Sequence, residues 1–139
     1  MKRYRIGIDP GFNYDPTVIS VFDSKRNEQK HLYCIESYGK EMGIIFEESF
    51  SKLSDIIEDY PDSEIFVDTI GIGKVFYNYL RDRLDCNSVA WTNQVRNEYT
   101  RHINLLGSRN NLTLLGNDNI PYSDYIVATA LSVGCDNAR

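Results

Sequence analysis

Apolar and polar positions over the first forty residues follow the short period that is typical of β-strands. The predicted strands are Tyr4–Asp9, Thr17–Phe22 and His31–Ser37. They are rich in β-branched and aromatic residues, and the turn signals Asp9-Pro10-Gly11 and Ser24–Gln29 separate them. Because these separations are on the scale of hairpins, we expect the three strands to form an antiparallel meander.

The rest of the chain alternates between helical and strand-like patterns. Apolar residues at steps of three and four predict an amphipathic first helix, with a stripe of Phe46, Phe50, Leu53, Ile57 and Tyr60. The later predicted elements are a strand Glu64–Asp68, a helix Lys74–Leu84, a strand Ser88–Trp91, a helix marked by Val95, Tyr99, Ile103 and Leu106, an extended or irregular stretch Asn111–Leu115, and a helix Tyr125–Val133. The last helix is apolar nearly all round, so we expect it to be buried.

This order of elements predicts an α/β fold. Three meander strands followed by alternating helices and strands describe a mixed five-stranded sheet flanked by helices. A right-handed crossover after the third strand places the fourth strand beside the first, and we expect strands four and five to be parallel to strand one. With 139 residues, of which 42% are hydrophobic, the chain suits a single domain over residues 1–139.

Charge narrows the classes of function. The net charge of −5 argues against a generic nucleic-acid-binding protein. The charge is uneven, however, because residues 36–68 hold ten acids and two bases, whereas residues 69–112 hold six bases and three acids. The basic region is a candidate face for a phosphate backbone, and the alternative is that both regions are ordinary solvated surface.

Cysteine usage and hydropathy indicate a cytoplasmic protein. Cys34, Cys86 and Cys135 form no CxxC pair, so we expect free thiols and no zinc site. No apolar run reaches the ~20 residues that cross a bilayer. The basic residues at the start of the chain are not followed by the apolar segment of a secretory signal, so we do not expect one.

Three aspartates fall where ligands gather in α/β sheets. Asp9 ends the first predicted strand, Asp68 ends the fourth, and Asp124 lies in the first turn of the last helix. If strands one and four are parallel neighbours, Asp9 and Asp68 lie side by side, and the buried last helix can direct Asp124 to the same edge. Three converging carboxylates are suited to holding two Mg²⁺ or Mn²⁺ ions about 4 Å apart at a phosphodiester.

Each aspartate also has a plainer explanation. Asp9 can be a turn residue, Asp68 can close its strand, and Asp124 can favour the dipole of its helix. Asp15 is a weaker candidate for the site, because an aspartate before Pro16 more often caps a turn. Three independent turn residues need not converge on one edge, so the joint pattern favours the metal site.

A glycine-rich segment follows Asp68 and suggests a phosphate loop. Its sequence is Gly71-Ile72-Gly73-Lys74, but Asp68 and Val75 stand where such a loop needs a glycine and a serine or threonine. We therefore expect no nucleoside triphosphate hydrolysis. The glycines are expected to let the chain pass from the strand into the helix with close packing.

Three segments resemble the nuclease domain of the large subunit of viral DNA-packaging terminases. Gly7–Gly11, followed by Asp15–Ile19, resembles the first-strand region of that family. Phe66–Gly73 resembles its second acidic motif, and Tyr122–Ala130 resembles its third, an aspartate followed by an Ala-rich helix. The resemblance extends from residue 4 to about residue 134, and the order and spacing of the motifs make it specific.

The resemblance implies an RNase H-like fold and a two-metal-ion endodeoxyribonuclease. The family's catalytic, metal-binding acids carry over onto Asp9, Asp68 and Asp124. It further implies Mg²⁺ or Mn²⁺ as the cofactor, double-stranded DNA as the substrate, and an ATPase motor domain, the terminase small subunit and the portal as partners of a viral protein. From the residues themselves, we take Lys74, Arg96 and Arg101 as candidate DNA contacts.

Several alternatives stay open at this point. A RuvC-like Holliday-junction resolvase shares the Gly-Ile-Asp-Pro-Gly opening, but that group has a histidine three residues before an aspartate in the last helix, where this chain has Asp124 and Val127. A non-catalytic RNase H-like interaction module is an alternative of another class. The family's ATPase motif is absent, so the chain is an excised domain, a separately encoded one or a relative with another task. The short stretch between Trp91 and Asp124 also leads us to expect no accessory hairpins.

Overall fold

The strands of the predicted sheet all form. In the computed structural model, which describes residues 2–109, 111–117 and 119–135, they are β1 Tyr4–Asp9, β2 Thr17–Asp23, β3 Glu28–Ile35, β4 Ser63–Asp68 and β5 Asn87–Val89. They lie in the order β3-β2-β1-β4-β5. Neighbours within β1–β3 are antiparallel, whereas β1 pairs with β4 and β4 pairs with β5 in parallel. The predicted mixed sheet and its strand directions are confirmed.

Helices cover both faces of the sheet. They are α1 Met42–Asp59, α2 Ile72–Arg81, α3 Asn93–Ser108 and α4 Tyr122–Val133. The larger hydrophobic cluster joins α1 and α2 to one face and includes Ile6, Ile8, Leu53 and Phe76. The smaller cluster lies between α3 and α4 and includes Tyr99, Val127 and Leu131. Among the described residues, no helix is long and apolar enough to cross a membrane.

β3 and β5 differ most from the prediction. β3 begins at Glu28, inside the predicted turn, because the Gln29 amide is buried and satisfied by tertiary contacts. It donates to Ser20 Oγ and Thr129 Oγ1 at 2.8 and 3.1 Å, and its carbonyl accepts the Leu115 N–H at 2.8 Å. β5 ends at Val89, two residues before the predicted end, because the Trp91 N–H donates to the Asp68 carboxylate instead of continuing the ladder.

The bounds of α2 and α4 also differ from the prediction. α2 ends at Arg81, where the chain turns and the N–H groups of Arg83 and Leu84 both donate to the Leu80 carbonyl. α4 begins at Tyr122, three residues before the predicted start, and it is buried along most of its length, as expected. The stretch after α3 contacts β3 through a parallel bridge at Thr113. The three cysteines are free thiols, of which Cys135 is buried and the other two are half-buried.

Contacts at the start and in the middle of β1 fix the direction of α4. Gly7 allows the helix to lie directly on the strand, because a Cβ there would clash with the Ala128 carbonyl. The buried Arg5 guanidinium donates to the carbonyls of Leu131 and Ser132 at the end of α4, where a cation stabilises the helix terminus. The C-terminus of α4 is thereby held at the start of β1, and its N-terminus, with Asp124, lies toward the end of β1.

Candidate functional site

Asp9 and Asp68 lie on adjacent parallel strands at one edge of the sheet. Asp9 is the last residue of β1 and Asp68 is the last residue of β4. Ile8 pairs with Val67 in the register of the two strands. Asp9 and Asp68 are the next residues of these strands, so they lie side by side. The carboxyl ends of parallel strands are where α/β proteins gather ligands, and the structure therefore places both acids at that edge.

Asp124 meets Asp9 from the first turn of α4. The two side chains share a hydrogen bond, and the pKa of Asp9 is raised to about 9. Burial is the main cause, followed by the hydrogen bond to Asp124 and the negative charges of Asp124, Asp68 and Asp15. A proton shared by the two carboxyl groups would relieve the repulsion between them, because a carboxylate can only accept a hydrogen bond.

Asp68 is held by the main chain. Its Oδ1 accepts the N–H groups of Ile70 at 3.1 Å and Trp91 at 3.2 Å. Burial raises the pKa of Asp68, and these two hydrogen bonds partly oppose the rise. The loop after β4 and the residues that precede α3 therefore fix the orientation of this carboxyl group.

Glycines shape the two loops that carry the aspartates. A Cβ at Gly73 would clash with the Asp68 carbonyl, and Gly71 has a φ of 63°, a value that favours glycine. After Asp9, a Cβ at Gly11 would clash with the carbonyl of Asp15, and the Gly11 N–H donates to Thr17 Oγ1 at 3.0 Å. The segment after Asp68 thus has the close packing that the sequence predicted.

The three carboxylates differ in how closely they approach each other. Asp9 and Asp124 are in contact, whereas Asp68 acts on Asp9 through its charge. In the side-chain arrangement of the described residues, no three His, Cys, Asp or Glu side chains are spaced to hold one metal ion. Within the same part of the chain, no Lys, Arg or His forms an ion pair with any of the three aspartates. The donor set is made of carboxylate oxygens, which suit Mg²⁺ and Mn²⁺.

The basic residues singled out in the sequence do not form one cluster. Lys74 lies on α2, which covers one face of the sheet, and Arg96 and Arg101 lie on α3, which covers the other. The two arginines line a groove of about 680 Å³ between α3 and the start of α4. Sequence reasoning missed this groove, although the spacing of Arg96, Thr100 and Arg101 along a helix was a usable signal.

Asp15 lies near the acidic edge without contacting the pair. Its charge contributes to the raised pKa of Asp9, and its side chain is exposed. Its carbonyl accepts a hydrogen bond from Ser37 Oγ at 2.6 Å, which ties the loop after β1 to the segment after β3. The structure therefore gives Asp15 a structural role through its main chain and a long-range electrostatic one through its carboxylate.

Several solved structures with a similar fold are nuclease domains of phage large terminases. The large terminase nuclease from thermophilic phage G20c with bound magnesium is 17% identical, with a TM-score of 0.77, and the match covers 95% of this chain and 80% of that one. The corresponding domain from bacteriophage SPP1 with bound manganese is 12% identical, with a TM-score of 0.60 over 94% and 84% of the two chains. RuvC from T. thermophilus in complex with a Holliday junction is also 12% identical, with a TM-score of 0.60 over 94% and 90%.

Comparisons of sequence alone give no relatives. No protein-family model matches the chain, and no curated protein matches it. The likeness is therefore one of three-dimensional structure, and it covers 95% of the chain in the magnesium-bound phage G20c domain. The chain has the RNase H-like fold of the large terminase nuclease domains and of RuvC.

Proposed function

We propose that this chain is a metal-dependent endonuclease that cuts double-stranded DNA, as the nuclease domain of a terminase large subunit does during viral genome packaging. The observation that carries the proposal is the hydrogen-bonded pair of Asp9 and Asp124, with Asp68 beside it on the next parallel strand. Like charges gathered at a sheet edge, with no cationic partner among the described residues, favour binding of a cation. The same fold in terminase nucleases solved with magnesium, manganese, cobalt or zinc supports this assignment.

Asp9, Asp68 and Asp124 are the residues that would hold the metal. Two divalent ions, when bound, would supply an activated water and stabilise the leaving oxygen of the phosphodiester. Two features of the protein affect whether these carboxylates can act as ligands. The main-chain N–H groups of Ile70 and Trp91 orient Asp68, and the pair formed by Asp9 and Asp124 must release its shared proton before both carboxylates can act as ligands.

Basic side chains on both faces of the sheet would contact the DNA, either on the duplex or on a strand beside the cut. Lys74 extends from the first turn of α2, and Arg96 and Arg101 are exposed on α3. Contacts of this kind bind phosphates without reading the base sequence. An ATPase motor domain, a terminase small subunit and a portal would be the partners of such a nuclease, and the host cytoplasm would be its location if the protein is viral.

A RuvC-like junction resolvase is the second candidate, because RuvC bound to a Holliday junction shares the fold. The last helix has Asp124 at the position where that group carries histidine, and Val127 three residues later is largely buried. The terminase-like function is therefore favoured.

Cleavage assays test both candidates. Supercoiled plasmid incubated with Mg²⁺ or Mn²⁺ should be nicked and linearised with little sequence preference, and EDTA should stop the reaction. A linear duplex should be cut at least as well as a four-way junction of the same arm sequence. Full activity in excess EDTA would contradict the metal-dependent mechanism, and cleavage confined to the junction would favour the resolvase.

A further inference from the structure

A groove lined by cationic, polar and apolar side chains opens between α3 and the first turns of α4, and Ile103 and Ile126 form part of its apolar surface. Its volume is about 680 Å³, which lies in the range of ligand-binding cavities. Arg96, Asn97, Thr100 and Arg101 line it from α3, and Tyr122 and Ser123 line it from α4. Asp124 directly follows these two residues in the chain but contacts Asp9, so the groove and the carboxylate pair lie on different sides of the first turn of α4.

The groove is cationic. Arg96 and Arg101 are both exposed, and in the described part of the chain neither forms an ion pair or lies over an aromatic ring. No aspartate or glutamate is among the described residues that line the groove. Two arginines with free guanidinium groups, next to the Asn97 amide, provide donors suited to phosphate oxygens.

An aromatic side chain lies at the same groove. The Tyr122 side chain is 66% exposed, and its ring lies 6.2 Å from the ring of Tyr125. Tyr125 is itself fixed, because its hydroxyl donates to the Leu115 carbonyl at 2.8 Å. A largely exposed ring beside free arginines has the composition of single-strand binding surfaces, where bases stack on aromatic side chains and cations follow the phosphates.

A paired duplex does not match this combination. In B-form DNA the bases are stacked on one another, so their faces are not available to a side chain such as Tyr122. An unpaired strand offers both the phosphate charge and a free base face. The groove is therefore better suited to a single strand than to the body of the double helix.

We propose that the groove between α3 and α4 binds an unpaired DNA strand that reaches the acidic site around the first turn of α4, with Arg96 and Arg101 on its phosphates and Tyr122 stacked on a base. This inference rests on the proposed nuclease function, and it adds a substrate preference. DNA with a single-stranded tail or a frayed segment beside the cut is bound and cleaved in preference to blunt, fully paired DNA.

Binding measurements with Ca²⁺ in place of Mg²⁺ test the groove without cleavage. The probes are a 12-nucleotide single strand that contains 2-aminopurine, a blunt hairpin duplex and the same duplex with a single-stranded tail. The double variant Arg96→Ala/Arg101→Ala should weaken binding of the single strand about tenfold or more. Its salt slope should fall by about 1.4, as expected for two lost phosphate contacts at ~0.7 each. Binding of the blunt duplex should change much less.

Tyr122 supplies a readout that charge alone does not affect. Stacking should quench the 2-aminopurine fluorescence, Tyr122→Phe should retain the quenching, and Tyr122→Ala should lose it and weaken binding about fivefold or more. Arg26→Ala is the matched control, because Arg26 is an exposed arginine in the turn after β2, at the opposite end of the sheet. It should change binding of each probe by less than about twofold.

Equal weakening of single strand and blunt duplex by the arginine substitutions, or unchanged quenching in Tyr122→Ala, would overturn the proposal. The nuclease assignment fails separately. If the unmodified protein binds the tailed duplex through Arg96 and Arg101 but cuts no DNA with Mg²⁺ or Mn²⁺, the groove assignment holds and the enzymatic one is wrong. If it cuts blunt and tailed DNA equally and the variants do the same, the nuclease holds and the groove assignment is wrong.

Discussion

Two aspartates at opposite ends of the β1–β2 hairpin have opposite surroundings. Asp23 pairs with Tyr4 at the start of β1, and Asp9 pairs with Val18 at its end. The Arg3 guanidinium binds both carboxylate oxygens of Asp23, at 3.1 and 2.9 Å, and this contact lowers the pKa of Asp23. Asp9 instead meets the carboxyl group of Asp124, and its pKa is raised.

The difference distinguishes a structural acid from a functional one. The charge of Asp23 is balanced within the chain by Arg3 and by the N–H groups of Lys25 and Arg26. The charge of the acidic pair is left unbalanced in the described structure, which costs stability unless a proton or a cation is bound. A fold that keeps such an unfavourable group at a sheet edge has the signature of a binding or catalytic site.

The largest expected effect is on cleavage. Asp9→Asn should reduce the rate of Mg²⁺-dependent plasmid nicking by about three orders of magnitude or more, because it removes a metal ligand that stabilises the transition state by several kcal/mol. Asp23→Asn makes the same chemical change at the other end of the hairpin and should leave the rate within about twofold. Equal losses of activity in the two variants would mean that the acidic edge has no special part in the reaction.

Metal-induced stabilisation is the next effect in size. Asp124→Asn removes a repelling charge, so the metal-free protein should gain about 0.5–2 kcal/mol in its free energy of unfolding. Saturating Mg²⁺ should stabilise the unmodified chain by about 2.7 kcal/mol at a hundred times its Kd, because it binds only the folded state. The variant should respond much less. Thermal melts with and without Mg²⁺ measure both quantities.

The same melts test the plainer explanation of Asp124. If it only favours the dipole of α4, Asp124→Asn should cost about 0.3–1 kcal/mol in the metal-free protein. Mg²⁺ should then raise the melting temperature of both proteins equally. That result would remove Asp124 from the metal site.

The sheet and the position of its acids could be predicted because local patterns determine them. Asp9 and Asp68 end strands of clear period, and the right-handed crossover is sufficient to make those strands parallel neighbours. The position of Asp124 could be predicted because the apolar composition of α4 requires burial against the sheet. Each of these steps uses either one periodic segment or a general rule of topology.

Contacts between residues far apart in the sequence could not be predicted from it. The polar character of Gln29 predicts a turn, yet its amide donates to Thr129 Oγ1, one hundred residues away. The orientation of Asp68 likewise depends on the N–H groups of Ile70 and Trp91, which donate to its carboxylate. Main-chain donors are present at nearly every residue, so no side-chain pattern shows which of them will meet a carboxylate.

The smallest effect is the dependence of metal-free stability on pH, and the two aspartates should affect it with opposite signs. The lowered pKa of Asp23 contributes stability above its unfolded value of about 4, and this contribution is lost as the pH falls through the folded value. Asp23→Asn should therefore flatten the acid limb, modestly, because Arg3 is partly exposed and its pairing is screened. The raised pKa of Asp9 has the reverse consequence, since the folded state retains a proton that the unfolded chain releases. Stability in EDTA should fall as the pH rises from about 4 to about 9, by at most ~1.4 kcal/mol per pH unit for one proton, and Asp9→Asn should flatten that slope.

Urea unfolding of the unmodified protein, Asp23→Asn and Asp9→Asn between pH 3 and pH 9 measures both pH dependences. An unchanged slope above pH 5 in Asp9→Asn would show that the carboxyl pair does not hold a proton.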